Sequence, residues 1–591
     1  MLPAIRMNRS QRKWVYAVLA ALCVLAAGCR GKEAAAARPM TFDERVRYAI
    51  WGRLQTVEDP PLVCAAGEPV LAAAAVRDFF RARDYRPAWS QAGVRKPAAD
   101  ELISAIRDAG RDGLSPDDYH LAALSRLGDG REVVWTAEAD LLLTDAFLLF
   151  ASHLADGKVD QDARKARWDG RSAKADLASV LERVSAGGDL RSELMNLLPG
   201  HEYYAALRRD LARYEELTGR GWRELPDGPE IKPGDSDGRV PVLRFRLAAE
   251  GLGPIGRPEA IDRFDEPLVD ALCSFQQRHS LPQTGWLDPA TRAALNVPAS
   301  ARARQIALNL ERWRWLPADL GPRYVMVDVA DFELFVVDAA REVMRMKIVA
   351  GTQVWPTPCF TSLMTDVMVN PSWNAPSRVL ARELVNYIRA DANYLKSNGM
   401  YLFRGQGREE MLVDPGSIDL AAVTEKNLDF RLVQMPGPLN VLGRLKFTHP
   451  NRYDIYLHDT PYRSDFGQAV RTFSHGCVRV ERPLEFAAYL LGGEPRWTPE
   501  RVQEQIDKGE ERMLLTASRI AVHVFSGTAW PLADGSVHFR PDIYAADGWL
   551  AAALAEKPPA APVRVRPEFN EEKAPKPPVR PGKPGPGTQD R

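Results

Sequence analysis

The hydrophobic period changes once along this chain, and that change limits what it can fold into. Up to Leu316, apolar residues recur at helical spacing, over 42–54, 71–83, 98–109 and 137–155 and then over 240–252, 268–279, 290–295 and 303–316. From Tyr324 the pattern turns to β-branched and apolar runs at 324–329, 333–337 and 343–350, which predict strands. A chain of 591 residues is too long for one core. The expectation is a multidomain α+β protein, helical first and mostly β later.

Turn chemistry divides the chain further. Residues 40–235 read as one helical region, with Asp112-Gly113-Leu114-Ser115-Pro116 as a stop, a turn and a new N-cap. Residues 226–237, rich in Pro, Gly and Asp, read as a linker. Residues 238–300 form a small helical unit, in which Asp288 caps a helix with Pro289 in its first turn. A larger unit spans 320–550. Within it, 371–448 is a helix followed by irregular chain, expected to be a lid or binding loop. Ile520–Phe525 and Ser536–Phe539 read as a terminal hairpin. The tail 557–591 is rich in Pro, Lys, Arg and Gly and cannot bury enough surface to fold.

The first 29 residues read as a leader. Arg6, Arg9, Arg12 and Lys13 precede an apolar run from Trp14 to Ala27, and Leu25-Ala26-Ala27-Gly28-Cys29 has the small residues of a lipoprotein cleavage box. The expectation is an exported protein in the periplasm of a Gram-negative-type envelope, lipid-anchored through Cys29 to the outer or inner membrane. The 78 basic and 78 acidic residues cancel, so no global field favours nucleic acid. The six cysteines are scattered, without zinc-site spacing, and no metal or cofactor is implied. A Cys64–Cys273 bond stays open, and Cys359 reads as packing.

Chemistry concentrates in Leu457-His458-Asp459-Thr460-Pro461 and Ser474-His475-Gly476-Cys477-Val478-Arg479. A free thiol, with a pKa of about 8.5, is mostly protonated at neutral pH and needs a base. A positioned imidazole can remove that proton, if a third group fixes its tautomer. Cys477 is the candidate nucleophile and His458 its general acid/base, at the end of a strand read over 453–457. Asp459 orients the imidazole through its carboxylate or its backbone carbonyl. Ser474 and Gly476 shape the turn, where N–H groups near Gly476 and Cys477 can meet an oxyanion. His120, His153, His201, His523 and His538 read as structural.

These residues resemble the signature of the L,D-transpeptidase catalytic domain, carried by His458 and the run from Ser474 to Arg479. Phe275-Gln276, Gly285 and Asp288 through Thr291 resemble the three-helix peptidoglycan-binding domain. Phe79-Phe80, Tyr85 to Trp89 and Asp112 to Leu114 resemble the helical scaffold region of the larger L,D-transpeptidases, and 371–448 resembles their capping insertion. The resemblance implies a catalytic domain of two mixed sheets in a sandwich, with Cys477 and His458 catalytic and His475, Gly476 and Arg479 supporting. Where many members have Asn two residues after the Arg, this chain has Glu481. Trp373, Tyr394 and Tyr401 are candidates for stem-peptide contact.

The implied activity is formation of 3–3 cross-links in peptidoglycan. A tetrapeptide stem acylates the cysteine with loss of D-Ala, and a second stem's side-chain amine resolves the thioester. Carbapenems are expected to acylate Cys477. The partners are stem peptides and glycan. Two other readings stand beside this one: the same thioester attaching a protein to the wall or yielding to water, and a non-catalytic wall-binding lipoprotein. A papain-like protease is disfavoured, because no Asn-bearing motif follows and the thiol comes after its His in chain order.

Overall fold

The computed structural model describes residues 38–558 apart from 56–62, 129–131, 160–167, 170–174, 254–259, 406–408, 494 and 533. The leader, Cys29 and the tail beyond 558 therefore lie outside the described residues.

The helical region is built around Val133–Asp156, in which every residue from Asp140 to Ala151 is buried. A helix buried on all sides must give each polar side chain a partner. Asp140 accepts from the Trp89 N–H and the Ser90 hydroxyl, both at 2.8 Å. Asp145 accepts from Leu71 N–H at 2.9 Å and meets His120 Nε2 at 2.8 Å. These two carboxylates fasten the surrounding loops to the central helix.

This core does not stop where the helical sequence pattern does. Helix Ala299–Arg314 and residues Phe525, Trp530, Phe539 and Leu550 belong to the same buried cluster. Trp313 sits at its centre, with ring centroids 5.3 Å from Tyr203, 4.7 Å from Phe525 and 5.2 Å from Trp530. The next turn carries a buried charge pair. Glu311, fully buried, accepts from Arg314 at 2.6 Å, Trp315 Nε1 at 3.1 Å and Val159 N–H at 2.8 Å.

The small unit packs Val240–Ala249, Glu266–Arg278 and Pro289–Leu295 around Leu247, Leu272 and Phe275. Leu225 and Ile231 are buried in this core, and Ile231 bridges to Leu287. The supposed linker is thus tied into the unit, because Ile231 within it and Leu225 just before it have a core to enter. Gln276 explains the local pattern. Its amide donates to Thr284, Trp286 and Thr291 and accepts from Gly285 N–H, whose φ of +68° suits glycine. The unit is fastened to the body by His279 stacked near Phe539 at 5.4 Å and by Ser280 Oγ 3.0 Å from His538 Nε2.

The later region holds a ten-stranded mixed sheet. Cys359–Val369 pairs with Arg512–Phe525 on one edge and with Leu445–Thr448 on the other. The sheet therefore curls round and closes on itself about a core of Val325, Leu334, Ile348, Val367, Phe447 and Val522, instead of forming the expected sandwich of two sheets. The terminal hairpin forms with a different first strand. Ile520–Phe525 is the end of a long strand running parallel to Arg323–Asp328, and Val537–Phe539 pairs with Ala529–Pro531.

The segment 371–448 is more ordered than its composition suggests. It has its own four-stranded sheet, from Trp373–Asn374, Met400–Arg404, Met411–Val413 and Arg431–Gln434, and its own core around Leu380, Leu402 and Leu432. The helix over 377–390 contains a π-helical turn at Leu380–Leu384. Such turns interrupt regular hydrogen bonding and are frequent at functional sites.

Glu311→Gln leaves the Arg314 guanidinium buried without its charge partner. Breaking such a pair costs about 3–5 kcal/mol. Guanidinium titration followed by tryptophan fluorescence is expected to show an earlier transition of corresponding size.

Candidate active site

Two short strands bring the predicted pair together. Leu457–His458 runs parallel to Val478–Val480, with Leu457 opposite Val478 and His458 opposite Arg479. Leu457, Val478 and Val480 are fully buried in the sheet core. Side chains alternate along a strand, so His458 and Arg479 point the other way. Tyr456, His458, Cys477 and Arg479 all line one cavity of about 1180 Å³ between the sheet and the capping segment.

The strand before His458 is shorter than its sequence suggests. Asn451 accepts from Tyr453 and Ile455 N–H, and Asp454 takes φ +55°. These hydrogen bonds hold the preceding residues in a turn, and the ladder starts only at Leu457.

His458 Nδ1 lies 2.6 Å from the Asp459 backbone oxygen. A carbonyl only accepts, so Nδ1 carries the proton and Nε2 keeps its lone pair. Of the two routes open to Asp459, the carbonyl is the one in contact. The Asp459 carboxylate accepts from Arg444 N–H at 2.8 Å instead.

The cysteine turn is tightly bound. Ser474 Oγ donates to the Cys477 carbonyl and accepts from Gly476 N–H at 3.1 Å. That Gly476 amide, expected to face an oxyanion, is therefore already engaged. Thr357 Oγ1 donates to the Gly476 carbonyl at 2.8 Å. Gly476 has φ +109°, and a Cβ on Gly351 would come within 3.0 Å of the Gly476 Cα. The two glycines let the strand Arg341–Gly351 press against the nucleophile loop.

The other predicted residues divide. Arg479 Nη1 donates to Asp465 at 2.7 Å. His475 Nε2 is 2.7 Å from Glu383 Oε2, in the π-helical turn of the capping segment. Trp373 and Tyr394 line the cavity, whereas Tyr401 does not and is 45% exposed on the cap. Glu481 continues the ladder, its N–H donating to Lys347 O and its carboxylate accepting from Lys347 N–H, both at 3.1 Å. Cys64, Cys273, Cys359 and Cys477 are all free thiols. Among the described residues, no group of His, Cys, Asp and Glu could hold a metal ion.

Family profiles match three parts of the chain. Residues 322–502 match the L,D-transpeptidase catalytic domain, 74–211 a scaffold domain and 236–295 a domain described as "Putative peptidoglycan binding domain". This chain carries an L,D-transpeptidase catalytic domain. A Haemophilus influenzae protein named "Putative L,D-transpeptidase" is 32% identical over 254 residues, which is 42% of this chain and 50% of that protein. The chain thus spans about half the length of the curated relative it matches. Among solved structures, an L,D-transpeptidase from Mycobacterium smegmatis is 14% identical, covering 35% of this chain and 59% of that one, at TM-score 0.17. One from Stackebrandtia nassauensis is 11% identical, covering 50% and 95%, at TM-score 0.18.

The electrostatics of this cavity favour neutral partners at rest. Burial, then Arg479 and Lys446, hold the His458 pKa down to about 3, against the pull of the Asp459 carbonyl. Burial pushes the Cys477 thiol up, while the Tyr456 N–H and hydroxyl, Lys446 and Arg378 oppose that shift. A thiol that shares a cavity with a neutral imidazole, whose Nε2 is unprotonated, can pass its proton during attack rather than before it.

Sequence reasoning missed four residues here. Tyr456 and Trp373 line the cavity with Cys477, and Tyr456 favours the thiolate there. Its place two residues before His458, on the same strand face, was the available signal. Trp355 Nε1 donates to Glu383 Oε1 at 3.0 Å, and the guanidinium of Arg378 lies 4.8 Å from the Trp355 ring centroid. Nothing local marks these three, because they meet only when the cap folds onto the loop that carries Trp355.

Alkylation of Cys477 by iodoacetamide should therefore rise with pH through an apparent pKa above that of a free thiol, with no inflection near 6.5 from His458. Tyr456→Phe removes a hydroxyl that favours the thiolate and should raise that apparent pKa by up to about one unit, the scale of one polar interaction with a charged group. A pH-rate profile checks both.

Proposed function

We propose that this protein is a cysteine-dependent L,D-transpeptidase that forms 3–3 cross-links in peptidoglycan. The observation that carries this reading is the shared face of the Leu457–His458 and Val478–Val480 pair, which turns thiol and imidazole into one capped cavity.

In this reading the Cys477 proton passes to His458 Nε2 as sulfur attacks the carbonyl at the L-centre of the third stem residue. The Cys477 N–H and the Tyr456 hydroxyl face the developing oxyanion. The C–S bond forms, the C–N bond to D-Ala breaks, and the imidazolium proton goes to the departing amine. The side-chain amine of a second stem then attacks the thioester. Its proton goes to His458 and returns to sulfur, regenerating the thiol. Trp373 and Tyr394 contact the donor stem, while Ser474, Gly476 and Asp459 hold the geometry.

The small helical unit would keep the enzyme on its polymer, raising local substrate concentration. Export through the leader 1–29 and lipidation of Cys29 would place it on a membrane facing the periplasm. Among the described residues, no helix is long and apolar enough to cross a membrane.

Incubation of the full chain with disaccharide-tetrapeptide, read by mass spectrometry, is expected to give a 3–3 dimer with release of D-Ala. Cys477→Ala should abolish it, and His458→Ala should lower the rate at least about a hundredfold, the scale of general acid–base catalysis. Hydrolysed tripeptide alone, or dimer formation by Cys477→Ala, would overturn the assignment.

A further inference from the structure

Among the described residues, three arginines line the catalytic cavity: Arg378, Arg452 and Arg479. Two are engaged. Arg479 is bound to Asp465 at 2.7 Å and lies over the Tyr462 ring at 5.3 Å from its centroid. Arg452 Nη2 donates to the Tyr453 hydroxyl at 2.8 Å. The third differs. Arg378 is exposed, and its guanidinium stands over the Trp355 ring. A cation held over an aromatic ring keeps N–H donors that can still meet an anion.

The platform beneath Arg378 is fixed. Trp355 is held through its Nε1 by Glu383, which also meets His475 beside the nucleophile. Arg382 lies over the same ring at 5.6 Å from its centroid and is paired with Glu425 at 2.5 Å, so a nearby cation and a nearby anion neutralise each other. Arg378 is close enough to the sulfur for its charge to favour the thiolate. A planar cation that lines the same cavity as Cys477, over a ring held from its far side, fits a planar anion.

We propose that Arg378 binds the terminal carboxylate of the acyl-donor peptide, on the residue that leaves when Cys477 is acylated. The proposal rests on the acyl-transfer reading above. A peptide that loses its last residue carries that carboxylate one Cα beyond the scissile nitrogen, so the group that receives it must lie near the sulfur. Arg378 belongs to the cap and Trp355 to the loop that follows the strand Arg341–Gly351. A carboxylate held there is therefore read by the cap only when the cap is seated on that loop.

The test compares the full chain with Arg378→Gln and Arg378→Lys on two donors, a tetrapeptide stem with a free C-terminal carboxylate and the same stem amidated. The native protein is expected to prefer the carboxylate about tenfold or more, the scale of a charge-assisted hydrogen bond. Arg378→Gln should lose that preference through KM, and Arg378→Lys should restore part of it. An independent readout is the ratio of Cys477 alkylation rates by iodoacetate and iodoacetamide, which should fall severalfold in Arg378→Gln. If the native protein turns over both donors and Arg378→Gln keeps the preference, the proposal is overturned. If neither donor reacts but the alkylation ratio falls, the anion site stands and the transpeptidase reading fails. If neither donor reacts and the ratio is unchanged, both fall.

Discussion

Everything at the catalytic site depends on a parallel pairing only a few residues long. Leu457 and Val478 are drawn into the sheet core by their apolar side chains, and strand alternation then turns His458 and Arg479 outward. A slip of one residue would turn the imidazole into the aliphatic core and two aliphatic side chains into the cavity, so the hydrophobic effect sets the register of the chemistry. The Asp459 carbonyl, Ser474 and Thr357 refine that placement through hydrogen bonds whose donors and acceptors are otherwise buried.

Burial that fixes the geometry also fixes the charge state. Removing His458 from water disfavours its cationic form, and the nearby Arg479 and Lys446 disfavour it further. Cys477 feels the same desolvation, with Tyr456, Lys446 and Arg378 placed to stabilise negative charge on sulfur. The site is neutral at rest and arranged to accept charge as it develops, which is the condition for lowering a barrier without stabilising the ground state equally.

Chemistry that lies within a short stretch of chain was legible in the sequence. The candidate nucleophile, its candidate base and the glycine beside it fall within about twenty residues, and the fold does bring the thiol and the imidazole to one cavity. The helix Val133–Asp156 and the small unit with its Gln276-centred turn were legible for the same reason, since period and caps are local. Contacts between distant segments were not. The closed sheet depends on Cys359–Val369 pairing along both edges, which no periodicity records. The cap's own sheet is made of strands as short as two residues, below what alternation can reveal. Glu383 reaches His475 across 92 residues, and only the fold makes them neighbours. Tyr401 has the composition of a groove aromatic, but its strand turns it away from the cavity.

Trp313 carries one further consequence. Its indole is enclosed jointly by the helical body and by the far end of the β region, through Tyr203 on one side and Phe525 and Trp530 on the other. No hinge can open along a seam sealed by a shared aromatic interior without exposing it to water. The nucleophile is thus mounted at a constant distance and orientation from the helical body. Motion that widens the cavity must then come from the cap, making the rest of the molecule a rigid jig against which that part works.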